Sequence, residues 1–212
     1  MIHGPRLHLP AIILIVLLLA SGCTSIRTAD THNTTIAVQS FNTWAAGQNE
    51  LDSELRATVA TIGGHIATYN TEIAKDSPDY ALIRDNLKED RALLDRWGKR
   101  LDTLAAATER FEQETSAPTY DNATVQETRE HLAVMTQYMK IYAVDLGNAR
   151  QHLIEYVSNA EAYVAPDDPE YWNEEYRMDG ATARTDAAAS LADGDMALND
   201  LLREAKELEK LQ

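Results

Sequence analysis

The sequence predicts an all-α protein, an elongated antiparallel up-down bundle of four long helices with coiled-coil-like packing. Three observations predict it. Apolar residues recur at alternating steps of three and four along four segments, and no useful length alternates with period two. Beyond Pro10, proline occurs only at Pro78, Pro118, Pro166 and Pro169. A proline inside a helix costs about 3 kcal/mol, so these positions mark where helices stop.

The first segment, residues 34–75, carries the stripe Phe41, Trp44, Gln48, Leu51, Leu55, Val59, Ile62, Ile66, Tyr69 and Ile73. The second, residues 79–114, runs from Tyr80 and Ile83 through Leu87, Asp90, Leu94 and Trp97 to Leu104, Thr108 and Phe111. The third, residues 121–165, places Met135, Met139, Tyr142, Leu146, Leu153, Tyr156 and Tyr163 on one face, and the fourth, residues 180–212, repeats Ala187, Leu191, Leu198, Leu201, Ala205 and Leu208. Each stripe gives its helix one apolar face, and heptads sustained over this length favour shallow, coiled-coil-like crossings. Short links at 76–78 and 115–120 make neighbouring helices antiparallel, and forty residues of helix reach roughly 60 Å. Gly63 and Gly64 interrupt the first helix at a cost of about 0.5–1 kcal/mol each, which calls for compensation or a bend.

Ahead of the helices, residues 11–20 form an apolar run of ten after Arg6, about half of the roughly 20 residues a membrane-spanning helix needs. The run ends in Leu19-Ala20-Ser21-Gly22-Cys23, which resembles the lipobox of prokaryotic membrane lipoproteins. The resemblance covers residues 1–23. It implies that the Cys23 thiol receives a diacylglyceryl group and that cleavage leaves Cys23 as the new N-terminus. The expected plan is a signal peptide at 1–22, a flexible tether at 23–33 and a helical bundle domain at 34–212, extracytoplasmic and held at the membrane by the lipid on Cys23.

Composition narrows the partners. The 212-residue chain has 19 basic against 34 acidic residues, a formal charge of −15, and removal of residues 1–22 takes away Arg6 and no acid. Nucleic acid is not expected as a partner, since phosphate binding needs a clustered basic face. An acidic surface also repels anionic headgroups, so the lipid must do the anchoring. With one cysteine no intrachain disulfide forms, and packing must hold the fold.

Chemistry-bearing motifs are few. The chain has no Glu-x-x-His pair of the kind that builds di-iron bundles, no His-Glu-x-x-His, no zinc spacing and no glycine loop for phosphate, so no cofactor, no metal and no enzyme activity are expected. His131 and His152 each precede a stripe position and read as flanking residues, and Asp193-Gly194-Asp195 lacks the ligands of a calcium loop. Asn33 and Asn122 head glycosylation sequons, of which about one is expected by chance.

Two places carry candidate binding residues. Asp90 is polar on an apolar stripe, and both it and His65 lie about thirteen residues from the turn at Ser77, so the pair should meet across the first hairpin; it would fix register, or form a ligand site completed by Tyr142. Residues 166–180, the longest break between helices, gather Tyr171, Trp172 and Tyr176 among acids at the end of the bundle that also holds the 76–78 turn. These aromatics either fold inward and plug that end, which is the expectation, or stay exposed and receive a basic or sugar-bearing partner.

The expected function is therefore a lipid-anchored cell-envelope protein acting as a non-catalytic structural or interaction module toward an envelope protein or wall polymer. In architecture it resembles the cell-wall-binding helical lipoproteins of Gram-positive bacteria. The alternative is a small-ligand sensor or binding subunit with an interhelical pocket.

Overall fold

The computed structural model describes the backbone of residues 28–116, 123–166 and 168–209, and the side chains of residues 39–116, 126–166 and 168–208. Four helices fill this range: α1 (Thr28–Glu72), α2 (Tyr80–Thr115), α3 (Ala123–Tyr163) and α4 (Glu174–Glu209), with a single 3-10 turn at Pro169–Tyr171. Among the described residues there is no strand, as the periodicity requires. None of the described helices is long and apolar enough to cross a membrane.

The helix ends follow from side chains placed to satisfy free backbone groups. At the close of α1 the Glu72 carboxylate accepts from Lys75 Nζ at 2.5 Å and from the Asp79 amide at 3.0 Å, which folds the chain back at Pro78. Asp79 then accepts from the Leu82 amide at 3.0 Å, capping α2. Asp168 caps the 3-10 turn through the Glu170 amide, and Asn173 Oδ1 accepts from the Glu175 amide at 3.0 Å.

That last cap starts α4 at Glu174, six residues before the expected start at Gly180, with Glu174 and Glu175 favourably placed in its first turn. The break between α3 and α4 is correspondingly shorter than expected. At the other terminus α1 begins at Thr28, so residues 28–33, assigned above to the tether, have helical backbone. Backbone propensity alone did not reveal either extension.

The chain divides into two compact units, each an antiparallel up-down packing of segments of all four helices. Of the described residues, the first comprises 28–50, 102–116, 123–144 and 193–209. Its core is aromatic: Phe41 stacks on Trp44 and tilts against Phe111, each at 6.1 Å between centroids, and Trp44 meets Tyr142 edge-on at 6.4 Å. Several buried polar side chains here are paired with one another, though Gln48 Oε1 and Asn42 Oδ1 have no partner among the described residues. Trp44 Nε1 donates to Thr108 Oγ1 at 2.8 Å, Thr108 donates to the Leu104 carbonyl, and Gln48 donates to the Tyr142 hydroxyl at 3.3 Å. On the flanks His131 lies 2.5 Å from Glu204, and Lys140 grips Glu112.

The second unit comprises residues 51–101 and 145–192. Leu55, Ile62, Ile83, Leu87, Leu94, Trp97, Leu146, Leu153, Val157, Ala183 and Ala187 are buried in it. Pairs such as Glu54–Arg100 and His65–Asp90 rise in number on α1 as they fall on α2, the signature of antiparallel helices. Arg84 with Val164 and Arg91 with Glu161 do the same for α2 and α3. A deeper tie joins the same two helices: Arg150 Nε donates to the Leu94 carbonyl at 2.6 Å, in a slot that exists because residue 98 is glycine. A Cβ on Gly98 would come within 2.9 Å of the Arg150 guanidinium. Gly63 and Gly64, by contrast, adjoin open space, and α1 runs through them as uninterrupted helix.

Candidate functional site

Of the residues singled out in the sequence, His65 and Asp90 are brought together. His65 Nδ1 lies 2.6 Å from Asp90 Oδ1, with Asp90 fully buried and His65 half-buried beside it. The second imidazole nitrogen faces the exposed Glu89, 3.9 Å away. Burial pushes the Asp90 carboxyl above the usual range, while the hydrogen bond to His65 pulls it back. Asp90 Oδ2 is buried with no protein partner. An imidazole held by a carboxylate is the arrangement of a general base, but a base needs its second nitrogen aimed at a reactive group. Here that nitrogen is directed at another carboxylate beyond hydrogen-bond reach, and the pair links α1 to α2.

Tyr142 does not complete this pair. It packs against Trp44 in the first unit and accepts from Gln48. Tyr156, two heptads along the same stripe of α3, is the tyrosine that feels the Asp90 charge. The sequence stripe gives both tyrosines the same phase, and only the register between helices selects one.

The aromatic cluster after α3 divides. The Trp172 ring lies 4.9 Å from Tyr163 and 6.3 Å, edge-on, from Tyr80, and its Nε1 donates to the Pro166 carbonyl at 3.1 Å. Tyr163 in turn tilts against Tyr69 at 6.4 Å and donates its hydroxyl to Glu174 at 3.1 Å. Trp172 thus folds inward over this end of the second unit, as a plug would. Tyr171, 71% exposed, does not join it, and neither does Tyr176, which lies on α4 with its ring half out.

Tyr176 instead borders a small cleft between α1, α3 and α4 of the second unit, which sequence reasoning missed. Ile66, Tyr69 and Asn70 come from α1, Tyr156 and Ala160 from α3, and Tyr176, Arg177, Gly180, Ala181 and Arg184 from α4. The available signal was the choice of tyrosine over phenylalanine at stripe positions 69 and 156, since a buried hydroxyl needs somewhere to go. Among the described residues no three His, Cys, Asp or Glu side chains converge as a metal site. Cys23 and Asn122 lie outside the described residues, and of Asn33 only the helical backbone is described.

No family model matches the chain, and neither a curated protein nor a solved structure is found similar to it.

Proposed function

We propose that the protein is a lipid-anchored cell-envelope component whose helical bundle is a non-catalytic structural or interaction module, facing an envelope protein or wall polymer. The lipobox-like stretch ending in Cys23 supports the anchor. The module reading rests on one observation: His65 and Asp90, a buried imidazole–carboxylate pair among the described residues, bridge two helices, with the second imidazole nitrogen directed at the Glu89 carboxylate. A pair so placed fixes helix register. The test is crosslinking in intact cells followed by membrane fractionation, with Cys23→Ala alongside. The reading expects a discrete crosslinked partner with wild type that is lost when the variant leaves the membrane; a variant that fractionates and crosslinks like wild type contradicts it.

A second reading, a ligand-sensing subunit, is favoured by one observation. The cleft at Tyr69 and Tyr156 has a volume of about 140 Å³. That is below the roughly 300 Å³ at which drug-sized ligands are enclosed, so a ligand would insert a single functional group there.

A further inference from the structure

The cleft of the second unit has an unusual balance of groups for so acidic a protein. Tyr69 and Tyr156 are 7% and 6% exposed, and neither hydroxyl forms a hydrogen bond to another described residue, yet neither is sealed from solvent. Both rings line the cleft. Burial holds both phenols far above their usual range, so they are neutral donors throughout the physiological interval. Two guanidinium groups border the same space. Arg177 is engaged by Glu174 at 2.5 Å, whose other oxygen accepts from Tyr163. Arg184 has no carboxylate partner among the described residues. The cleft therefore offers two unpaired hydroxyl donors and one guanidinium that no described carboxylate ion-pairs, with the buried Asp90 carboxyl acting on Tyr156 from the core side.

We propose that this cleft binds a carboxylate, with the Tyr69 and Tyr156 hydroxyls donating to its oxygens, Arg184 supplying the balancing charge and the Tyr176 ring flanking it. One free cation matches a monoanion better than a phosphate dianion, and the planar fork of arginine suits a carboxylate. The volume suits a single such group on a chain that continues into solvent. Its source is a small carboxylic acid or the C-terminus of a peptide. The inference deepens the ligand-sensing reading and rests on it; the membrane anchor plays no part.

The test is calorimetric titration of the detergent-solubilised full chain with propionate, with a blocked dipeptide bearing a free C-terminus, with the amide of that dipeptide and with inorganic phosphate. The carboxylates bind and the amide does not. Binding tighter for the dipeptide than for propionate assigns the site to peptide termini, and equal binding assigns it to free acids. Arg184→Gln and Tyr156→Phe each weaken binding about tenfold with unchanged circular dichroism, since a hydrogen bond to a charged group is worth at least that factor. Amide or phosphate binding as tight as the carboxylates, still sensitive to Tyr156→Phe, overturns carboxylate recognition while leaving a ligand pocket. Carboxylate binding indifferent to both substitutions overturns the site, and no binding by any probe overturns the site and the sensing reading together.

Discussion

Asp90 on α2 is buried against His65 on α1, with 2.6 Å between Oδ1 and Nδ1 and its other oxygen unpaired. Such a pair is costly to desolvate, so breaking it and replacing it differ. Asp90→Ala should cost about 3 kcal/mol in urea unfolding, because the imidazole loses its charged partner. His65→Leu with Asp90→Leu should be near neutral or stabilising. A double variant as unstable as Asp90→Ala would show that the pair contributes net stability beyond register.

The same carboxyl gives a pH dependence. Its folded-state value lies above the ordinary 3.8 because burial disfavours the charge, so the folded protein holds this proton more tightly than the unfolded chain. Asp90 therefore contributes a loss of stability as pH rises through the interval above 3.8. Unfolding free energies of wild type minus Asp90→Asn, measured from pH 3 upward, should fall across that interval and then level. A difference that rises with pH would reverse the assigned cause.

Glu72 behaves oppositely. The hydrogen bond from Lys75, then that from the Asp79 amide, hold its carboxyl below the ordinary 4.5. Its stabilisation is present above that value and is lost as pH falls through the folded one. Glu72→Gln should lower the melting temperature at pH 7, with the deficit shrinking steadily below pH 4.5. A deficit independent of pH would mean that the carboxylate charge is not what closes the turn.

Three glycines sort by what a methyl group would meet. Gly63→Ala and Gly64→Ala enter open space on a continuous helix and should each add about 0.5–1 kcal/mol. Gly98→Ala gains the same propensity but displaces Arg150 from the Leu94 carbonyl, a charged hydrogen bond worth about 1.5–3 kcal/mol, so it should be net destabilising by about 1 kcal/mol. Adding Arg150→Met to Gly98→Ala should make the glycine change favourable. Equal effects at all three positions would contradict the slot.

Trp172 and Tyr171 are neighbours in sequence with opposite surroundings. Trp172→Ala removes a ring held by Tyr163, Tyr80 and the Pro166 carbonyl and should cost about 2 kcal/mol, below the 3–5 of a fully buried aromatic. Tyr171→Ser should stay within about 0.5 kcal/mol. Denaturation midpoints that moved together would deny the plug.

The helical class, the four segments and the meeting of His65 with Asp90 were legible because each depends on local periodicity or on counting from a tight turn. The link at 76–78 is such a turn, and Glu72 and Asp79 close it. Counting failed at the next connection. A tight turn at 115–120 would oppose Glu112 with a residue roughly two heptads earlier than Lys140, its actual partner. A shift by whole heptads keeps every stripe residue on the core side, so the sequence pattern cannot detect it. That is why Tyr142 was expected beside Asp90 where Tyr156 lies. The cleft was hidden for the same reason, since Tyr69 on α1 meets Tyr156 and Arg184 only in the true register. The early start of α4 was missed because the aromatic and acidic composition of 170–179 masked the cap at Asn173.

The anchored-module account stands most directly on Cys23. Mass spectrometry of the N-terminal peptide, from protein extracted out of native membranes, should find residues 1–22 absent and Cys23 carrying a diacylglyceryl group. A peptide that retains residues before Cys23, or one with a free thiol at that position, would contradict it.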